Sequence, residues 1–285
     1  MTDPRLAWED PRTVLKRHNL WAKRAMSQNF LVARPVVERI AQQAHALDAG
    51  VIIELGPGLG TLTKALLATG SRVVAMERDR DMIAVLRNEL SEVVGFEVRA
   101  EDAARIDLEA LSSALATPLT VVGNLPYAIT GSIFRNVIDA AACVPAAVFM
   151  VQREVRDRLN AKPATPEYGA LTVFATAAFE VSTLMHVGRN CFHPAPRVTS
   201  SVVVLKRHAV ARAPLTPTFQ RVVKASFETR RKTLRNALLN ALSDGAGPID
   251  AALAAASIDG KRRGETLSVE EFGQLAAQLA AVSVA

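Results

Sequence analysis

The chain has 285 residues, 49% hydrophobic and 22% charged, which excludes a disordered chain and suits one large domain with a smaller one. Its net charge of +6 is uneven: residues 206–235 hold nine Lys or Arg against the single acid Glu228, residues 1–25 hold six against three, and the rest is net negative. Two cysteines outside any CxxC pair (Cys143, Cys191), no apolar run in residues 1–25 and a longest apolar stretch of only 140–151 argue against a disulfide framework, a structural zinc site, a signal peptide and a membrane span, so a cytoplasmic protein is expected.

Val36, Val37, Ile40, Ala44 and Leu47 fall at helical spacing and predict a helix over 35–49. The β-branched run 51–55 predicts a buried strand, followed by a helix over 61–68, a strand over 72–76, a helix over 79–90 and strands over 96–99 and 119–122. A strand over 147–151, a helix over 171–179 and a strand over 202–206 complete the series. This alternation predicts an α/β fold with an open, mostly parallel, Rossmann-like sheet. The polar, proline-containing stretch 208–217 reads as a linker, and 219–242 and 248–256 as helices. Ser268, with Glu271 three residues on, signals a capping box opening a helix over 268–281. The expected domains are 1–207, with an N-terminal segment 1–35, and a small all-helical domain 218–285.

Glu54-Leu55-Gly56-Pro57-Gly58-Leu59-Gly60 follows a strand and opens a helix, where glycines let the backbone turn tightly against a ligand. The spacing is G-x-G-x-G and not the dinucleotide G-x-G-x-x-G, and no P-loop lysine is present. Glu77 ends the next strand, where a carboxylate can hold ribose hydroxyls, and Asp102 follows the third, where it can accept from an adenine amino group. Taken alone, each also reads as a helix N-cap. Together with the loop they suit S-adenosylmethionine.

Asn124-Leu125-Pro126-Tyr127 lies just past a strand's carboxyl end, where α/β sheets place their chemistry. An exocyclic amine is a poor nucleophile because its lone pair is delocalised into the ring. The Asn124 amide oxygen and a backbone carbonyl beside rigid Pro126 can accept both N–H bonds and free that lone pair. Tyr127 can stack on a base drawn out of its helix. An Asn-initiated turn with a packed tyrosine is the plainer alternative. Direct in-line transfer needs no nucleophilic side chain, and the five histidines form no catalytic triad or metal cluster, so no metal is expected.

These motifs, with Ser27-Gln28-Asn29-Phe30-Leu31, the segment 192–198 (FHPAPRV), residues 227–238 (FETRRKTLRNAL) and residues 263–267 (RGETL), resemble the ribosomal RNA small-subunit adenine N6,N6-dimethyltransferases of the KsgA/RsmA family over nearly the whole chain. The resemblance implies that Asn29, Leu31, Gly56, Gly58, Glu77, Asp102 and Asn124 bind the cofactor. It places Asn124, Leu125, Pro126 and Tyr127 at the transfer centre, with Tyr127 and Phe192 sandwiching the target adenine. Phe192 alone reads equally as a core phenylalanine. The implied substrate is two adjacent adenines in a hairpin loop near the 3′ end of small-subunit (16S) rRNA, within a precursor small subunit. A basic helix carrying Arg230, Arg231, Lys232 and Arg235 is expected to grip the RNA, with Arg231 and Arg235 one turn apart, and a monomer is expected. Ser27, Glu101, Ala128 and Gly131-Ser132 depart from the family's usual residues, the last two beside the target-base loop. The rival readings are a large-subunit adenine methyltransferase of the macrolide-resistance type, a noncatalytic assembly factor, and a small-molecule or protein methyltransferase.

Overall fold

The computed structural model describes residues 3–23, 26, 28–126 and 129–282. Helix α1 (Pro11–Arg17) is capped by Asp10, whose side chain accepts from Arg12 N, and Pro11 sits in the first turn, where a missing N–H is harmless. Strand β1 (Phe30–Leu31) and helix α2 (Arg34–His45) follow. The chain then alternates through β2 (Val51–Leu55), α3 (Thr61–Ala68), β3 (Val73–Glu77), α4 (Arg80–Leu90), β4 (Phe96–Ala100), α5 (Leu108–Leu115), β5 (Leu119–Asn124), α6 (Thr130–Asp139) and β6 (Ala146–Gln152). Next come α7 (Arg153–Leu159), α8 (Ala170–Ala178), β7 (Phe179–Val187), β8 (Phe192–His193) and β9 (Ser200–Arg207).

Seven strands form one sheet in the order β4-β3-β2-β5-β6-β9-β7, while β1 pairs antiparallel with β8. The pairs β3–β4, β2–β3, β2–β5 and β5–β6 are parallel, and β6–β9 is antiparallel. From β2 the chain proceeds outward through β3 to β4, then returns to lay β5 on the other side of β2. This makes β2/β5 the switch point, outside whose carboxyl ends ligands bind in open α/β sheets. Strands β2 and β3 are buried at every residue, as parallel strands covered on both faces must be. Their Ile52 and Val73 join Val37, Ile40, Leu66 and Leu86 in one apolar core. Helix α4 starts at Asp79, whose carboxylate accepts from Asp81 N, and α5 at Asp107, which accepts from Ala110 N.

The chain divides into two compact units, Met1–Arg156 with Ser182–Lys206, and Asp157–Val181 with Arg207–Ala285. This division differs from the boundary drawn on sequence at 207/208. Tyr168, Val173 and Ala177 belong to the same apolar core as Phe219, Leu234 and Phe272, so residues 157–181 cluster with the C-terminal helices. The stretch read as a linker also joins that core, through the buried Ala213.

The second unit adds α9 (Pro217–Glu228), α10 (Leu234–Ala241), α11 (Ala246–Ala255) and α12 (Val269–Val282). Ser268 and Glu271 form the expected capping box, with Ser268 N donating to Glu271 Oε2 at 2.7 Å and Glu271 N to Ser268 Oγ at 3.1 Å. The single helix expected over 219–242 is two. Thr229 leaves the helical region at φ −126°, ψ 68°, and Thr233 is extended. Leu234 N then donates to Arg262 O at 2.6 Å and Arg235 N to Gly260 O at 3.1 Å. A neighbouring segment thus satisfies the first amides of α10, and this tertiary pairing overrides local helix propensity.

Candidate active site

The carboxyl ends of β2, β3 and β5 open onto a cleft of about 1050 Å³, counted to its open mouth. Asn29, Leu31, Gly56, Gly58, Glu77, Asp102, Asn124, Leu125 and Pro126 all line it. Sequence reasoning therefore collected nine residues, from positions nearly 100 apart, that the fold brings to one place.

The loop after β2 is shaped by backbone conformations that L side chains rarely adopt: φ is +69° at Gly56, +57° at Gly58 and +79° at Gly60. A Cβ on Gly58 would stand 3.1 Å from the Phe30 ring, inside the space the bare backbone leaves open. Glu77, at the end of β3, ties this loop down. Its Oε2 accepts from Gly58 N at 3.1 Å, and its Oε1 accepts from Arg78 N and Asp79 N, each at 2.9 Å. A carboxylate has about four acceptor sites, so these three bonds leave it room for a ligand donor. Burial raises the Glu77 pKa, and the three N–H donors partly offset the rise.

Asp102 accepts from Ala104 N at 2.9 Å through Oδ1 and from Arg78 Nη1 at 3.2 Å through Oδ2. At the end of β5, Asn124 Nδ2 donates to the Asn29 backbone carbonyl at 3.0 Å, which leaves Oδ1 as this side chain's acceptor. The Pro126 carbonyl is engaged by Ile129 N at 3.2 Å and Thr130 Oγ1 at 3.1 Å. The Leu125 carbonyl is therefore the backbone acceptor next to the proline that these two bonds do not use.

Two expected residues stand differently. Tyr127 lies outside the described residues. Phe192, on β8, pairs with Leu31 and is only 5% exposed, packed in the core with Val37, Ile40 and Leu66.

Arg230, Arg231, Lys232 and Arg235 belong to the second unit, and the first three lie in the turn between α9 and α10. The expected one-turn spacing of Arg231 and Arg235 on a helix is therefore corrected. Arg235 is held by Asp250 at 2.6 Å and Arg230 by Glu265 at 2.8 Å, while Arg231 and Lys232 are exposed.

Sequence reasoning gave no role to Glu54 and Arg78, although both line the cleft. Glu54 is 1% exposed, its Oε2 accepts from Thr63 Oγ1 at 2.6 Å, and burial pushes its pKa up to about 8, against the lowering effect of Thr63. Its position immediately before the glycine loop was the available signal. Among the described residues, Glu77, Glu101 and Asp102 line the cleft against Arg78, with Glu54 held protonated near neutral pH, an acidic balance that favours a cationic ligand. Among the described residues no three His, Cys, Asp or Glu side chains group to hold a metal ion, and no helix is long and apolar enough to cross a membrane.

A Rossmann-like parallel sheet with a glycine loop and acidic strand ends at its switch point makes this chain an S-adenosylmethionine-dependent methyltransferase. Within that class the sequence is more specific, and the chain belongs to the ribosomal RNA adenine dimethylase family, whose profile matches residues 19–280. It is 44% identical over 284 residues to a ribosomal RNA small subunit methyltransferase A of Anaeromyxobacter dehalogenans, covering 96% of this chain and 98% of that one. It is 43% identical to the protein of the same name from Myxococcus xanthus, covering 94% of each. Among solved structures, the 23S rRNA methyltransferase ErmE superposes with a TM-score of 0.64 at 27% identity, over 88% of this chain and 100% of that one. A dimethyladenosine transferase from Plasmodium falciparum shares the fold, with a TM-score of 0.71 at 21% identity over 89% of this chain and 98% of that one.

Proposed function

We infer that this protein transfers methyl groups from S-adenosylmethionine to the N6 atoms of two adjacent adenines in a 3′-terminal hairpin loop of small-subunit rRNA, giving N6,N6-dimethyladenosine. It acts on a precursor small subunit, as a cytoplasmic monomer. The carrying observation is the hydrogen-bonded amide of Asn124 lining an acidic cleft, with Glu77 and Asp102 at the ends of β3 and β4. Relatives above 40% identity bear the small-subunit name, whereas the large-subunit enzyme stands at 27%, so the small-subunit reading is preferred.

The residues present fit the cofactor. Its ribose hydroxyls suit the remaining acceptor capacity of Glu77, its adenine amine suits Asp102, and Gly56 and Gly58 leave space for its methionine part beside Asn29 and Leu31. When bound, the cofactor supplies an electrophilic methyl on a positively charged sulfur. In the first transfer Asn124 Oδ1 and the Leu125 carbonyl accept hydrogen bonds from the two N6 hydrogens, drawing the nitrogen toward tetrahedral geometry and localising its lone pair for in-line attack; in the second, one N–H remains for one of these acceptors, and each transfer releases one N6 proton to water. Pro126, with no N–H to offer, keeps this edge an array of acceptors. Tyr127 and Phe192 are proposed to stack on the adenine. Arg231 and Lys232, supported by the paired Arg230 and Arg235, contact phosphates.

Labelled S-adenosylmethionine offered with unmethylated small subunits, large subunits and free adenosine tests this reading. Label confined to small-subunit RNA is expected. Label in large-subunit RNA establishes the large-subunit reading instead, and cofactor binding without transfer establishes the assembly-factor reading.

A further inference from the structure

The segment that contributes Asn29 to the cleft is itself held by the buried carboxylate of Asp79, a residue that does not line the cleft and whose backbone N donates to Glu77. Asp79 is 3% exposed. Its Oδ1 accepts from Lys23 Nζ at 2.7 Å and its Oδ2 from Gln28 Nε2 at 2.8 Å. Gln28 closes the turn on its other side, where its Oε1 accepts from Lys23 N at 2.9 Å. Asp79 also caps α4 through Asp81 N at 3.1 Å. The bonds from Lys23 and Gln28 outweigh the effect of burial and hold Asp79 ionised, below the ordinary carboxylate range.

This carboxylate sits in an unbroken path. Gly58 N and Asp79 N both donate to Glu77, Gln28 donates to Asp79, and the next residue, Asn29, offers the carbonyl that accepts from Asn124. A side-chain amide can rotate by half a turn and exchange oxygen for nitrogen at little energetic cost. In one orientation Asn124 presents an acceptor to an amine, in the other a donor. The Asn29 carbonyl decides between them, and Asn29 stands between the anchored Gln28 and Phe30, which pairs with β8.

We propose that Asp79 and Gln28 are a positioning pair: they fix the Asn29 carbonyl so that the Asn124 amide presents its oxygen to the target N6. The inference rests on the methyl-transfer reading of the same cleft. Asp79 does not line the cleft, and Gln28, which does, has both ends of its amide committed to Asp79 and Lys23, so their loss slows transfer more than it weakens binding.

The test is a double-mutant cycle on methyl transfer to small subunits, using Gln28→Ala, Asp79→Ser and both together. Serine retains the helix cap, so Asp79→Ser removes the anchor and leaves α4 capped. Each single variant is expected to lower kcat at least tenfold and to change the calorimetric Kd for S-adenosylmethionine less than threefold. The double variant is expected to be no slower than the worse single one. The reciprocal exchange, Asp79→Asn with Gln28→Glu, reverses donor and acceptor and is expected to recover most of the loss. Single variants with wild-type kcat, or two losses that multiply, overturn the proposal. So does a Kd that rises as much as kcat falls. If Asp79→Ser melts early, Gln28→Ala with its Kd and kcat decides alone, because Gln28 is only partly buried. Wild-type protein that transfers no methyl overturns the functional reading and this inference together, whereas active wild type with unaffected variants overturns only the inference.

Discussion

Asn124 Nδ2 reaches the backbone carbonyl of Asn29 at 3.0 Å, a bond that joins positions 95 apart in sequence and sets which end of the amide can face an amine. Replacing Asn124 with alanine removes that acceptor from the transfer centre and leaves the glycine loop, Glu77 and Asp102 in place. Asn124→Ala is expected to lower kcat by on the order of 10²–10³, the usual loss for one preorganised hydrogen-bonding group. Calorimetric affinity for S-adenosylmethionine should survive within a few-fold. A variant that no longer binds the cofactor assigns Asn124 to binding and not to transfer.

Glu77 accepts three backbone N–H groups at 2.9 to 3.1 Å, including that of Gly58. Glu77→Gln puts an NH2 group against at least one of those donors and loosens the loop. With about 1.5–3 kcal/mol for a hydrogen bond to a charged group, cofactor affinity should fall roughly 10- to 100-fold. An unchanged Kd contradicts the central place given to Glu77.

The motifs that could be read in the sequence are those in which a short run carries both local conformation and chemistry. G-x-G-x-G needs left-handed backbone, and φ is positive at all three glycines. An acid directly after a strand must lie at the carboxyl edge of the sheet, and Glu77 and Asp102 do. What depended on distant partners was not legible. Nothing within 219–242 announces that residues 260–262 pair with the start of α10 and break the helix. Asp79 reads only as the first residue of the helix expected over 79–90, and its bonds to Lys23 and Gln28 cross more than 50 residues. Phe192 matched a family motif and also read as a core phenylalanine, and its burial bears out the second reading, whereas its pairing with Leu31 is not revealed by sequence spacing.

The buried Glu54 gives stability a pH dependence. Its pKa is raised to about 8 in the folded protein from an ordinary 4.5. Below the ordinary value both states are protonated. Between the two values the unfolded chain releases the proton while the folded one keeps it, so stability falls as pH rises through that window and levels off above it. Glu54→Gln removes this slope. In cofactor-free protein its melting temperature should exceed that of wild type at pH 8 by more than at pH 5. Parallel curves for the two proteins contradict a neutral Glu54.

Arg231 and Lys232 are exposed, whereas Arg235 is engaged by Asp250. Arg231→Ala with Lys232→Ala should lower the slope of log affinity for small-subunit RNA against log salt by about 2, near one for each phosphate left without its cation. Arg235→Ala should change that slope less. Equal effects from all three positions place Arg235 on phosphate rather than on its carboxylate partner.

The central claim is that this cleft dimethylates adenine N6 in small-subunit RNA. The most direct measurement is nucleoside mass analysis, mapped to position, of RNA from unmethylated small subunits incubated with the protein and S-adenosylmethionine. The account predicts N6,N6-dimethyladenosine at two adjacent adenines of a hairpin loop near the 3′ end, formed at a rate on the order of 10²–10³ lower when Asn124→Ala protein is used. Methylation at another base or atom, or dimethyladenosine formed at the wild-type rate by the Asn124→Ala variant, contradicts it.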